Sequence, residues 1–180
     1  MNTPIPAFDH CHVGRRPGHG LTLVELMIVL AVLVIVMSVA MPSMSEFTAN
    51  NRVVATKSAF ASAVSLTRSE AAKRGRPVLL RAVGSGAAGN EFAAGWELVL
   101  DENGDGLAGT SEARLRKFAA LPAGVRLGGG ATLAFRASGA LQASAAAVYT
   151  ICRSTGSGAA YTITVMPSGV ADVTSLAACP

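Results

Sequence analysis

The sequence predicts an α+β protein, in which a long hydrophobic N-terminal helix packs on a C-terminal antiparallel β-sheet domain. Three observations lead to this fold class. Residues 21–41 form an apolar run with a single ionisable side chain, a helix-type pattern continues to residue 76, and short β-type segments separated by glycines occupy residues 77–180. The chain has 180 residues, which suits one folded domain with an appendage.

The composition agrees with a large hydrophobic segment. Hydrophobic residues make up 51% of the chain and charged residues 14%, and the mean hydropathy is +0.44. The formal net charge is +4. This charge does not by itself indicate an anionic partner, because the basic residues are spread along the chain.

The apolar run at residues 21–41 has the length of a membrane-spanning helix. About 20 residues, each rising about 1.5 Å, match a hydrocarbon core of about 30 Å. A secretory signal cut after Ala40 is one interpretation, although its apolar stretch would be unusually long. A plain membrane anchor is another. Neither explains Glu25, since an acidic side chain in hydrocarbon costs roughly 2 to 3 kcal/mol.

The ten residues from Gly20 to Val29, with the sequence GLTLVELMIV, resemble the type IV prepilin signal. The resemblance implies that residues 1–20 are a leader, that a prepilin peptidase cuts after Gly20, and that the new N-terminus at Leu21 is methylated. The amino group of Leu21 would then pair with the carboxylate of Glu25. Pro42 resembles the proline that kinks the helix in this family.

The same resemblance implies a location and partners. The protein would span the inner membrane once, with its C-terminal domain in the periplasm, and would assemble with other pilins or pseudopilins into a filament. Arg15 and Arg16 precede the apolar run, which is consistent with an N-terminus held in the cytoplasm.

An amphipathic helix is predicted to continue through residues 42–76. Gly75 and Pro77 form a stop signal after Lys73 and Arg74, whose positive charges suit a helix C-terminus. The apolar face is predicted to contain Met44, Phe47, Val54, Ala61, Val64 and Ala71, widened by Val53 and Phe60.

A β-rich domain is predicted for residues 77–180. Its segments read as one antiparallel sheet laid against the helix, with Trp96 and Phe135 in the core and with glycine-rich loops at 84–89, 128–130 and 156–160. The predicted strands are 78–83, 96–100, 114–118, 132–136, 149–152 and 161–165.

This half of the chain resembles the GspH/FimT family of minor pilins and pseudopilins. The segments that carry the resemblance are Leu66–Gly75, Gly95-Trp96, Asp101–Gly106, Phe135 with Gly139, Cys152, and Ser168-Gly169. The family implies a structural subunit of a type II secretion pseudopilus or a type IV pilus.

Some members of that family bind DNA with a basic motif after the glycine of the final strand. Here Gly169 is followed by an uncharged pair and Asp172, and no Lys or Arg follows Arg153. DNA binding therefore remains the alternative function, with Arg114, Arg116 and Lys117 as the local basic cluster.

Two cysteines, Cys152 and Cys179, follow the membrane segment. In an oxidising periplasm such a pair predicts a disulfide, which would contribute roughly 3 kcal/mol of stability by closing its loop. The alternative is two unpaired buried thiols.

Residues 101–112 match the calcium-loop pattern D-x-[DN]-x-[DN]-G-x₅-E. Oxygen ligands at alternating positions suit Ca²⁺. However, the flanking segments are predicted strands, and Asn-Gly and Asp-Gly are also typical of tight hairpin turns. A calcium site and a polar hairpin tip both remain open. The candidate ligands are Asp101, Asn103, Asp105 and Glu112.

The sequence favours a structural protein over an enzyme. All three histidines precede residue 20, so a processed chain would contain none, and no serine stands in a G-x-S-x-G motif. No other cofactor is predicted.

Overall fold

The fold is described from a computed structural model, which covers residues 20–107, 109, 112–155 and 158–179, without the side chains of 39–43. The predicted leader, apart from Gly20, and the Pro42 side chain therefore lie outside the described residues. Within these residues one helix precedes eight strands, and the chain divides into two units, Met1–Met41 and Pro42–Pro180. The elements are α1 (Leu23–Arg74), β1 (Val78–Ala82), β2 (Trp96–Leu100), β3 (Arg114–Lys117), β4 (Val125–Gly128), β5 (Thr132–Phe135), β6 (Ala147–Arg153), β7 (Ala160–Val165) and β8 (Ala171–Leu176).

Helix α1 ends where the stop signal predicted. Lys73 and Arg74 occupy its last turn, and Arg74 Nε lies 2.8 Å from Glu70 Oε2 one turn earlier. Gly75 follows with φ of +64°, the left-handed conformation that glycine adopts at low cost after a helix. Pro77 then prevents the helix from resuming.

The strands form two antiparallel sheets, so the prediction of a single sheet is wrong. Sheet 1 has the order β3-β2-β1-β5, and sheet 2 has the order β4-β6-β7-β8. The six predicted strands are present with boundaries shifted by up to two residues, whereas β4 and β8 were not predicted. β4 is short and lies in a segment rich in glycine, part of which had been assigned to the loop at 128–130. β8 is exposed along most of its length, so it lacks the apolar alternation of a half-buried strand.

The buried face of α1 in the C-terminal unit matches the predicted face in part. Val53, Phe60, Val64 and Ala71 are buried, as predicted, whereas Met44, Phe47 and Val54 are exposed. The buried positions recur at spacings of three or four, as expected for a helix face: they are Val53, Thr56, Phe60, Ala63, Val64, Thr67 and Ala71.

One hydrophobic core joins this helix face to both sheets. Phe60 is fully buried at its centre. Its ring centroid lies 5.2 Å from that of Phe92, 5.5 Å from that of Trp96 in sheet 1, and 4.9 Å from that of Tyr149 in sheet 2. Burial of Tyr149 raises the pKa of its hydroxyl well above the usual range. Trp96 and Phe135 are buried, as predicted.

Replacing Phe60 should destabilise the C-terminal unit strongly. Phe60→Ala removes a ring that packs against both sheets, and we expect it to lower the free energy of unfolding by about 3 to 5 kcal/mol. Phe47→Ala is the matched control, because Phe47 lies on the same helix with 63% of its surface exposed. Thermal or denaturant unfolding of the full chain in detergent measures both. Equal losses in the two variants would contradict a core centred on Phe60.

Candidate functional site

The start of α1 is held by a local hydrogen bond. Leu23 is the first helical residue, and the backbone N–H of Glu25 donates to Oγ1 of Thr22 over 3.2 Å. The N–H of Leu26 donates to the carbonyl oxygen of Thr22 over 3.1 Å. Thr22 therefore caps the helix, and Glu25 stands three residues later, as in a capping box. The spacing T-x-x-E before an apolar run could have predicted this cap.

Glu25 lies in the first turn of α1. A carboxylate at this end of a helix interacts favourably with the helix dipole. Gly20 and Leu21, the predicted processing residues, are both exposed just before the helix. This segment is therefore accessible, and the carboxylate of Glu25 has a local electrostatic reason for its position.

The segment that begins at Leu21 is exposed at every position whose side chain is described, residues 21–38. Within the described part of the chain, no helix is long and apolar enough to cross a membrane.

The loop between β2 and β3 is organised by a buried carboxylate. Asp101 has 1% of its surface exposed. Its Oδ1 accepts a hydrogen bond from the N–H of Gly104 over 2.6 Å, and its Oδ2 accepts one from the N–H of Gly106 over 2.9 Å. Both glycines have positive φ, +76° and +73°, so the chain curls around this side chain.

Three of the four predicted calcium ligands come together in this loop. One carboxylate oxygen from each of Asp101, Asp105 and Glu112 lies within 4.8 Å of the others. Asn103, the fourth, is bonded to Asp105: its amide nitrogen donates to Asp105 Oδ2 over 2.8 Å, and its Oδ1 accepts from the N–H of Asp105 over 3.2 Å. The flanking elements are strands, so the loop has no EF-hand helices.

Among the described residues, two buried oxygen atoms near this loop have no hydrogen-bond partner. They are Oε1 of Glu112 and Oε1 of Gln142. Gln142 lies against Gly106, since a Cβ built on that glycine would stand 2.8 Å from its Oε1. Oxygen atoms with free lone pairs are the ligands that a hard cation such as Ca²⁺ prefers.

The predicted basic cluster lies on β3, but its charges are partly engaged. Arg114 Nε is 2.6 Å from Glu97 Oε2, and Glu97 Oε1 is also 2.8 Å from Arg81. The guanidinium of Arg116 lies 5.0 Å from the ring centroid of Phe118. Lys117 is exposed. DNA binding at this cluster stays a prediction.

The predicted disulfide is confirmed, since Cys152 in β6 is bonded to Cys179 after β8. A guanidinium nitrogen of Arg126 lies 3.1 Å from Sγ of Cys179. The bond ties the end of the described chain to the middle of sheet 2.

A second carboxylate, on Glu91, organises the loop beside β4. It accepts hydrogen bonds from the N–H groups of Gly89 and Gly129 over 2.9 and 3.0 Å. Backbone hydrogen bonds, first that of Glu91 itself and then those of the two glycines, hold the pKa of this carboxyl below its usual value.

Two family models match the chain. Residues 15–41 match the prokaryotic N-terminal methylation motif, and residues 58–169 match the type II transport protein GspH. Both agree with the resemblances found in the sequence. No curated protein matches the chain significantly.

Two crystal structures of the type IV minor pilin FimU from Pseudomonas aeruginosa resemble this fold. The form in space group P21 has a TM-score of 0.58 at 17% sequence identity, covering 74% of this chain and 99% of FimU. The form in P65 has a TM-score of 0.52 at 15% identity, covering 74% and 98%. At this identity the likeness establishes the α+β fold, as predicted.

The buried carboxylate of Asp101 should be needed for stability. Asp101→Ala leaves two loop N–H groups without their acceptor, and we expect it to lower the free energy of unfolding by about 2 to 4 kcal/mol. Glu102→Ala is the control, because the neighbouring Glu102 is exposed. Its described hydrogen bond, which its backbone oxygen accepts from Arg76, does not involve the side chain that is removed. Denaturant unfolding at neutral pH distinguishes them. An Asp101→Ala variant as stable as Glu102→Ala would refute the proposed role of this side chain.

Proposed function

The chain belongs to the GspH family of type II transport proteins, and from this premise we propose that it is a minor structural subunit of a type II secretion pseudopilus or a type IV pilus. The observation that carries the proposal is the order of two matches in one chain: a methylation motif at residues 15–41, then the GspH match at 58–169. This order places a filament-assembly segment before a globular unit.

Processing after Gly20 is the first step we propose. A prepilin peptidase would cut between Gly20 and Leu21 and leave a new amino group, which is then methylated. Both residues are exposed before the helix begins, and a Cβ built on Gly20 would meet no atom of the described residues within 4 Å. A larger residue would therefore clash with no described part of this chain, and we expect it to fail through recognition by the peptidase.

We further propose that the processed protein is anchored in the inner membrane by residues 21–41, with residues 42–180 in the periplasm. The disulfide between Cys152 and Cys179 supports this orientation, because disulfides persist in the periplasm and are rare in the cytosol. The backbone is helical at Pro42, and we propose that this proline kinks the helix there.

Glu25 has two candidate roles, one that depends on its charge and one in the cap of the helix, and different substitutions can test them separately. Its charge would pair with the amino group of Leu21 from the same or a neighbouring subunit, because burying a carboxylate without a partner in an apolar filament core is costly. The first turn of the helix also favours an acidic residue at this position. Glutamine preserves hydrogen-bonding capacity and removes the charge.

We also propose that the loop between β2 and β3 binds Ca²⁺. The support is the convergence of Asp101, Asp105 and Glu112, together with the buried oxygen of Glu112 that has no partner. Asn103 and Gln142 are neutral oxygen donors beside them. Bound Ca²⁺ would offset two of the three negative charges of the neighbouring carboxylates and hold the loop in place.

The charge of Glu25 should be needed for assembly. We expect Glu25→Gln to be cleaved normally but recovered in sheared filaments in roughly tenfold lower amount, equivalent to about 1.4 kcal/mol. Thr22→Val is the matched variant, because it removes the capping oxygen and keeps the charge. It should assemble at close to the level of the unmodified protein. If Glu25→Gln assembled normally and Thr22→Val did not, the cap alone would explain Glu25.

Gly20→Leu serves as the upstream control for this experiment. It should remain uncut, which gel mobility and N-terminal sequencing detect, and it should be absent from filaments. Starts at Met1, Leu21 and Met41 distinguish an unprocessed chain, prepilin cleavage and a secretory signal. Normal processing of Gly20→Leu would contradict the peptidase assignment.

Calcium should stabilise the C-terminal unit. At a free Ca²⁺ concentration of about 100 times the Kd, the expected gain is about 2.7 kcal/mol, measured by thermal unfolding of the full chain in detergent. Asp105→Asn combined with Glu112→Gln should abolish the gain. Glu102→Gln, which alters an exposed carboxylate in the same loop outside the cluster, should retain it. Absence of any shift up to about 10 mM Ca²⁺ would exclude even the weak range of extracellular sites.

A further inference from the structure

The four edge strands of the two sheets differ in how they are protected. An edge strand presents backbone N–H and C=O groups that can pair with another chain, and proteins usually cover or charge such edges. In this fold the edges are β3 and β5 in sheet 1 and β4 and β8 in sheet 2.

Two edges are covered by neighbouring segments of the same chain. Along β5, the N–H of Gln142 donates to the carbonyl oxygen of Ala134 over 2.9 Å. Along β4, the N–H of Leu127 donates to Oδ1 of Asn90 over 3.2 Å, and the carbonyl oxygen of Leu127 accepts from the N–H of Phe92 over 3.3 Å. These backbone groups are therefore not available to a partner.

The third edge, β3, is protected by charge and irregularity. It carries Arg114, Arg116 and Lys117, and its pairing with β2 shifts in register between Leu98 and Val99. Basic residues and a register shift both disfavour pairing with a further strand.

The fourth edge, β8, has none of these protections. Ala171–Leu176 pairs with β7 over six residues without a register shift, and its sequence ADVTSL contains no Lys, Arg or Pro. Among the described residues, no hydrogen bond outside the β7–β8 pair involves β8. Every second residue of an edge strand directs its N–H and C=O away from the sheet. β8 therefore offers an open row of donors and acceptors.

Side chains on β8 indicate the chemistry of a partner. Val173 has 40% of its surface exposed. Asp172 is exposed opposite Thr164 of β7, and no described cation forms an ion pair with it. An added strand with a basic residue beside Asp172 would supply the missing charge.

We propose that β8 is a strand-addition site, at which an extended, basic segment of a neighbouring filament subunit of different sequence pairs as a fifth strand of sheet 2. This inference rests on the proposed filament function. Backbone hydrogen bonds select an extended segment, and Asp172 selects its charge. Pairing of β8 with β8 of a second copy is disfavoured, because it brings no cation to either Asp172, and in parallel register it sets the two carboxylates side by side.

Hydrogen exchange tests the proposal on the full chain in two states, assembled in filaments and solubilised in detergent. Amides at alternate residues of β8 should exchange at least tenfold more slowly in the filament, while the amides of the interior strand β6, which pairs with β4 and β7, should change little. Incorporation with unchanged exchange in β8 would overturn the inference and leave the filament function standing. Absence of the protein from filaments would overturn the filament function and, with it, this inference.

A charge reversal gives a second measurement. Asp172→Lys should abolish the slowed exchange in β8 and reduce recovery in filaments several-fold. The control is Val148→Lys, which places the same side chain on an exposed position of the interior strand β6, with 53% of its surface exposed. Val148→Lys should retain both properties. Equal behaviour of the two variants would contradict a contact specific to β8.

A photocrosslinker placed at Val173 identifies the segment that pairs with β8. A crosslink that mass spectrometry maps to an extended segment of a different pilin-type subunit supports the proposal. A crosslink to β8 of a second copy of this chain would overturn the assignment of the partner.

Discussion

The C-terminal unit depends on the burial of Phe60 between two sheets. The two sheets share no strand, so contacts other than strand pairing must join them. Phe60 projects from α1 and contacts Trp96 of one sheet and Tyr149 of the other. Phe92, in the loop between β1 and β2, also packs against the Phe60 ring. Aromatic pairs at these distances, mostly edge to face, add to the gain from burying their area. Both sheets therefore pack against the same helix.

The far end of the same helix positions the start of β8. The aliphatic part of the Arg68 side chain lies against Gly139 and Gly169, which have φ of +79° and +80°. Each glycine closes a tight turn, and the N–H of Leu141 links the two turns by donating to the carbonyl oxygen of Pro167 over 2.9 Å. A Cβ on Gly169 would collide with the backbone of Gly139. The close approach of the two turns thus requires glycine and determines where β8 begins.

The sequence could predict the features that depend on local patterns. The end of α1 follows from Gly75 and Pro77, and the six predicted strands follow from short β-type runs separated by glycines. It could not predict β8, whose residues are mostly exposed, or β4, which is too short and too close to glycines to stand out. The predicted helix face is too broad, because Val53 and Val54 are adjacent and both apolar, and only packing against the sheets decides which one is buried. In the hairpin loop, the spacing of the acidic residues indicated their convergence, whereas the partnerless oxygen of Glu112 required the fold.

The position of Glu25, a single charge in an apolar run, has a structural cause that must be considered before a functional one. From the sequence alone, the cost of inserting this carboxylate is a reason to expect a partner for it. The structure supplies a local reason for its position as well, because Thr22 caps the first turn and an acidic residue is favourable there. The cap itself does not need a negative charge, since glutamine can also occupy this position of a capping box, and the helix dipole favours the charge by only about 0.3 to 1 kcal/mol. A larger requirement for glutamate over glutamine must therefore arise outside the helix start, and a positive group such as the freed amino terminus of Leu21 would provide it.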